Sequence, residues 1–156
     1  MSAKLVDEAG FTVVGIEART SNAREMSGTG VIASHWARFI KENLLAHIPS
    51  KTDAAILAVY SDYASDENGE YSFMIGARVS SAAQAPSGMV VRRVPAGRYA
   101  VFTSEKGPVE KVVMTTWQKI WGAPGIERAY KVDFELYDER ARDPKNAEVE
   151  ICVGIK

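Results

Sequence analysis

Ala129-Tyr130-Lys131-Val132-Asp133-Phe134-Glu135-Leu136-Tyr137-Asp138 reads as a β-strand. Val132, Phe134 and Leu136 fall on one side at period two, and Asp133, Glu135 and Tyr137 on the other. If the second side meets water, Glu135 is one more surface charge. If it meets an aromatic cavity, Glu135 is a fixed negative charge facing a space for a cation.

Working outward, the same pattern occurs earlier. Leu57-Ala58-Val59-Tyr60-Ser61-Asp62 lines up with Phe134-Glu135-Leu136-Tyr137-Asp138-Glu139. Two helices match as well, His35-Trp36-Ala37-Arg38-Phe39-Ile40 with Thr116-Trp117-Gln118-Lys119-Ile120-Trp121. Ile75-Gly76-Ala77 matches Val153-Gly154-Ile155. The fold class expected is α+β: duplicated strand-helix-strand-strand units forming a pseudo-twofold antiparallel sheet. Two main helices lie on one face, with a central groove. Two copies are too few for a solenoid. The chain is read as a single domain, 1–156, with repeat 1 about 1–80 and repeat 2 about 89–156.

The elements follow from local signals. Phe11–Ala18 is rich in β-branched residues and reads as a strand. Thr20–Gly30 is polar and reads as a loop. Val31–His47 carries an apolar stripe at helical spacing, and Pro49 ends it. Ala55–Tyr60 is apolar on both faces and reads as a covered strand. Asp66-Glu67-Asn68-Gly69 marks a hairpin to Tyr71–Val79, since Asn-Gly tolerates positive φ. Ser80–Gly88, with Ala82-Ala83-Gln84-Ala85-Pro86, reads as the linker. Met89–Pro95 and Arg98–Glu105 are extended. Val109–Trp121 is a second helix, opened by Pro108 and closed by Gly122-Ala123-Pro124-Gly125. Glu139–Ala147 turns the chain into a last strand, Glu148–Ile155.

Composition narrows the function classes. A hydrophobic content of 46% and a net charge of -1 describe a globular protein. They disfavour direct nucleic-acid contact, which needs a basic excess. No apolar run approaches a membrane span, and the first eight residues carry no apolar signal core. The expected location is the cytoplasm. Cys152, the single cysteine, reads as inert. His35 and His47 lie three turns apart on one helix and cannot share a metal, so no metal or cofactor is expected.

The order of several motifs resembles the GyrI-like, or AraC-type, effector-binding domain of bacteria. The likeness covers nearly the whole chain. It is carried by Val59-Tyr60-Ser61-Asp62-Tyr63, Asp66-Glu67-Asn68-Gly69-Glu70-Tyr71-Ser72-Phe73 and Ile75-Gly76-Ala77-Arg78-Val79. In the second half it is carried by Val94-Pro95-Ala96-Gly97-Arg98-Tyr99-Ala100-Val101-Phe102, by Thr116-Trp117 through Ile120-Trp121, and by Asp133-Phe134-Glu135-Leu136-Tyr137. The resemblance implies binding of bulky or cationic small molecules, with Glu135 as an inward-facing acid. It also implies stand-alone relatives on integron cassettes. The helix-turn-helix segment of the regulators is not legible here.

These readings give a candidate ligand-binding set. Glu135 supplies counter-charge opposite the smaller Ala58. Trp36, Trp117, Tyr60 and Tyr137 supply walls, and Trp121 and Phe39 stand next to them as wall or core. Asp133 is expected nearer the rim, because two adjacent buried acids repel. Tyr63 and Tyr71 are expected to be partly exposed beside the hairpin. Three functions compete. The first is a binding module for a hydrophobic, cationic small molecule, acting as a sensor or sequestering protein. The second is a hydrolase using Glu135 as general acid or base. The third is an interaction module whose partner is a separate transcription regulator or DNA gyrase.

Overall fold

A computed structural model of the chain describes residues 3–80 and 84–156. The strands are β1 (Lys4–Glu8), β2 (Phe11–Ser21), β3 (Ile56–Ser61), β4 (Glu70–Val79), β5 (Val90–Val94), β6 (Gly97–Thr103), β7 (Arg128–Tyr137) and β8 (Glu150–Ile155). The helices are α1 (Asn22–Met26), α2 (Ile32–Lys41), α3 (Leu44–His47) and α4 (Val109–Trp121). All eight strands join one antiparallel sheet in the order β1-β6-β8-β7-β3-β4-β2-β5.

That order is a duplication. β2, β3 and β4 occupy one half as β3-β4-β2, and β6, β7 and β8 occupy the other as β7-β8-β6. The halves meet at the β3–β7 pair, where Ala58 lies directly opposite Glu135. The approximate twofold axis therefore passes through this pair, since the sequence match also equates Ala58 with Glu135. Each unit also has a leading strand; β5 falls within the Met89–Pro95 stretch read from sequence, whereas β1 was not read, and the two are exchanged: β1 pairs with β6 of the second unit, and β5 pairs with β2 of the first. Ile75 lies opposite Ala58 and Ile151 opposite Glu135. Strand pairing thus equates Ile75 with Ile151, two residues from the Ile75–Val153 match read from sequence.

The exchange closes the sheet on itself. β1 and β2 sit near opposite ends of the sheet, yet only Ala9-Gly10 joins them; β5 and β6 do likewise across Pro95-Ala96. The sheet must curl for both links to span. Gly10 has φ 88°, and a Cβ there would meet the Ala96 nitrogen at 2.9 Å, so only glycine fits this approach. The concave face fills itself. Val13, Leu57, Val59, Met74 and Val94 are each at most 1% exposed, and Phe11 meets Phe134 edge-on at 5.3 Å.

The convex face carries the helices. α2 packs with Val14, Ile16, Phe73 and Ile75, and α4 packs with Ala100, Phe102, Ile151 and Val153. α4 has the bounds its flanking Pro108 and Gly122 predict. α2 is shorter than the Val31–His47 stripe suggests. Asn43 adopts φ 49°, a left-handed conformation that Asn tolerates, and α3 continues in a new direction. Thr20–Gly30 is not all loop, since it contains α1. The Glu25 carboxylate, reaching past α1, accepts from the Val31 and Ile32 N–H groups at 2.8 and 3.2 Å. It thereby satisfies free donors at the start of α2. The β3–β4 hairpin forms, but its left-handed residue is Asp62 (φ 49°), not Asn68 or Gly69. Ser81, Ala82 and Ala83 of the expected linker lie outside the described residues.

Candidate functional site

Glu135 lies near the C-terminal end of β7, on the helix-facing side, at 1% exposure. Three neutral donors converge on its carboxylate. Tyr60 Oη donates to Oε2 at 2.7 Å, Trp117 Nε1 donates to Oε2 at 2.6 Å, and Tyr137 Oη donates to Oε1 at 2.5 Å. Burial raises the acid above its ordinary value, because a charge in a dry interior loses its hydration. The bonds from Tyr137, Trp117 and Tyr60 oppose that rise. Burial and the nearby Glu135 charge push both phenols well above their ordinary range. They stay protonated and remain donors.

The rings around this acid form a continuous cluster. Tyr60 meets Trp117 at 5.4 Å and Phe73 at 5.2 Å. Trp36 stands edge-on to Tyr137 at 4.8 Å. Side chains from both helices thus occupy the groove expected along the axis. Of the seven candidate residues, the structure brings Glu135, Tyr60, Trp117 and Tyr137 into direct contact. Trp36 joins through Tyr137. Phe39 is 1% exposed in the core beneath α2, with its ring 6.5 Å from that of Trp36. Trp121 is 43% exposed, with its ring 6.3 Å from Trp117. Tyr71, expected to be partly exposed, is 2% exposed and packs on Tyr60 at 5.4 Å.

Asp133 corrects the sequence reading. It is not at the rim: it is 0% exposed. Repulsion between the two acids is relieved by pairing instead. Arg128 Nη2 reaches Asp133 Oδ2 at 2.7 Å, Tyr63 Oη donates to the same oxygen, and the Gly154 N–H donates to Oδ1 at 2.9 Å. A bulge makes this pairing geometrically accessible. Arg128 lies opposite Ile155 and Asp133 opposite Val153, so five steps along β7 answer two along β8. Within the bulge Tyr130 takes φ 53°, a region bulky residues rarely enter and which costs on the order of 1–3 kcal/mol. Sequence reasoning missed Arg128 and Tyr130. Their only signal was an arginine and a tyrosine at the start of the strand that carries the acid.

Other titratable groups are structural. His35 Nε2 lies 2.8 Å from the Ile16 carbonyl, and burial lowers its pKa. Burial pushes the Cys152 thiol up to about 12. No cluster of His, Cys, Asp and Glu among the described residues could hold a metal, and no helix among them is long and apolar enough to cross a membrane.

Comparison with known proteins places the chain in a family. YobU of Bacillus subtilis strain 168, which carries the name of a transcriptional regulator, is 38% identical over 144 residues, covering 91% of this chain and 90% of its own. An integron cassette protein from the mobile metagenome of Vibrio cholerae superposes with a TM-score of 0.76 at 29% identity, covering 99% of this chain and 96% of its own. SAV2435, solved bound to tetraphenylphosphonium, has the same fold, with a TM-score of 0.79 at 22% identity over 100% of this chain and 94% of its own. A family model matches residues 4–155. The chain belongs to the Cass2 family, the integron-associated effector binding proteins.

Proposed function

We propose that this protein binds hydrophobic monocations at Glu135, as a ligand sensor or sequestering protein. One contrast carries the reading. Two acids on the same side of β7 are buried, and they are neutralised differently. Asp133 has a cation of its own in Arg128, whereas Glu135 takes part in no ion pair among the described residues and is held by neutral donors alone. A buried charge without a counter-ion is costly to maintain. The surrounding rings offer π-faces, each contributing about 0.5–2 kcal/mol toward a cation. The tetraphenylphosphonium bound by SAV2435 has the chemistry this arrangement suits: one delocalised charge inside an apolar shell.

Binding requires movement. The donors cover the carboxylate, so a ligand reaches it by displacing rings at the groove, where Trp36, Tyr60 and Tyr137 are each half-buried. Part of the contact energy then offsets that opening. The same groups argue for binding rather than turnover. The hydroxyls within reach of Glu135 are phenols held protonated, and none is poised as a nucleophile at neutral pH.

Glu135→Gln tests the charge while preserving the packing. The amide oxygen can accept from Tyr60 and Trp117, and the amide NH2 can donate to the Tyr137 oxygen. Tryptophan fluorescence would follow titration with tetraphenylphosphonium and with neutral triphenylphosphine oxide. The variant is expected to bind the cation about tenfold or more weakly, the scale of one charged contact, and the neutral compound with a much smaller loss. Equal losses for both compounds, or no binding of the cation by the unmodified protein, would refute the proposal.

A further inference from the structure

The empty site has to hold Glu135 without a counter-ion. The elements packed around the acid bring it no positive charge. β3 supplies Tyr60, β4 supplies Tyr71 against the Tyr60 ring, and β7 itself supplies Tyr137. Burial pushes all three phenols above their ordinary range, so they give up no proton at neutral pH. α2 carries His35, whose Nε2 is taken by the Ile16 carbonyl. Arg128 lies 5.8 Å from the Trp117 ring centre and is committed to Asp133. Burial therefore strengthens the hold of Glu135 on a proton, and only the bonds from Tyr137, Trp117 and Tyr60 act against it.

The two carboxylate oxygens are not equivalent. Oε2 accepts from Tyr60 and from Trp117, whose indole N–H can only donate. Oε1 accepts a side-chain bond from Tyr137, whose hydroxyl can donate or accept. A proton on Oε1 leaves both bonds to Oε2 in place, and the Tyr137 hydroxyl turns to receive it. The acid then keeps three hydrogen bonds, as the carboxylate does. A proton on Oε2 would instead make a hydroxyl of the atom at which two donors aim. An inorganic cation asks for several oxygen ligands, and no cluster among the described residues could hold one.

We propose that the empty site keeps a proton on Glu135 Oε1 and that a hydrophobic cation binds in exchange for it. The inference rests on the reading of Glu135 as the cation site and makes pH its regulator. The step balances: a carboxylic acid and a cation give a carboxylate–cation pair and one proton, which passes to water as the rings part. The site is neutral before and after, so neither state holds an uncompensated buried charge. A neutral ligand releases no proton. By reciprocity, the bound cation weakens proton binding by the same factor as the proton weakens cation binding.

Calorimetric titration of the full chain with tetraphenylphosphonium, in pairs of buffers that differ in ionisation enthalpy, counts the protons released. The count should climb toward one as pH falls from 8.5 to 4.5. Over the same range the dissociation constant should come to rise by about tenfold per pH unit, once the empty acid is protonated. Triphenylphosphine oxide should release no proton. Glu135→Gln keeps His35, Asp133 and the phenols but has no acid to titrate, so its affinity should ignore pH. Proton release that persists in this variant, or that accompanies the neutral compound, would belong to another group and overturn the exchange. If the variant does not fold, the neutral compound serves as the control. A count near zero down to pH 4.5 with the cation still bound would overturn the exchange and leave the cation site standing, its acid always ionised. Failure of the cation to bind at any pH would overturn both.

Discussion

Replacing Tyr137 by Phe removes one oxygen from the site and little else. That oxygen donates to Glu135 Oε1 at 2.5 Å and is the side-chain donor to that atom, whereas Oε2 keeps Tyr60 and Trp117. A hydrogen bond to a charged group contributes about 1.5–3 kcal/mol. Glu135 is 1% exposed, so water does not replace the lost donor and the upper half of that range applies. For a chain of this size the loss corresponds to a fall in Tm of about 4–12 °C. The effect has a signature in pH. Burial already holds Glu135 above its ordinary value, and the Tyr137 bond pulls it down; the variant moves it further up. A carboxyl whose folded value is raised makes folding less favourable as pH rises through that value, and the penalty is relieved as pH falls toward the unfolded value. The deficit of Tyr137→Phe should thus be full above the further-raised folded pKa of Glu135 in the variant and should shrink as pH falls from there toward the folded pKa in the unmodified protein. Urea unfolding followed by tryptophan fluorescence, stepped from pH 8 to pH 4.5, measures it. In a Glu135→Gln background the same change should cost about 1 kcal/mol or less, the scale of a neutral hydrogen bond. A pH-independent loss, or an equal loss in both backgrounds, would refute the reasoning.

Arg128→Met removes the counter-ion of the buried Asp133, so it should cost about 3–5 kcal/mol; thermal unfolding checks this, and a shift under about 2 °C would contradict the burial of the pair. Glu25→Ala removes the acceptor for two N–H groups at the start of α2 and should cost about 1–2 kcal/mol, read from urea midpoints. Cys152 is buried with its thiol pushed up to about 12. Alkylation by iodoacetamide at pH 8 should therefore follow the urea unfolding curve, and rapid labelling of the native protein would count against it.

Some of this was legible because local chemistry and fold agreed. Pro108 and Gly122 bracket α4, and the Tyr60–Tyr137 match locates the β3–β7 junction. What could not be read depended on distant partners. β1 is a short, weakly alternating segment that makes sense only against β6. The break at Asn43 is one backbone angle inside an unbroken apolar stripe. The error at Asp133 has a geometric cause. Residues 128 and 133 differ by an odd number, so a regular strand would put them on opposite faces. Only the bulge turns Arg128 toward Asp133, and nothing in the alternation of β7 announces a bulge.

The position of the axis explains why the acid is single. Ala58 and Glu135 are equivalent by duplication and face each other across one strand pair, with Cβ atoms about 4.5–5.5 Å apart. A carboxylate in both units would place two like charges at that distance in a dry site, and one would take up a proton. A faithful copy would therefore gain no net charge. Keeping Ala on one side leaves a single ionisable acid, and both copies of the tyrosine, Tyr60 and Tyr137, then converge on it. The tryptophans diverge accordingly: Trp117 donates to Glu135, while Trp36 meets the ring of Tyr137. Symmetry thus assembles the donors in pairs, and the break in symmetry at residue 58 gives them one shared acceptor.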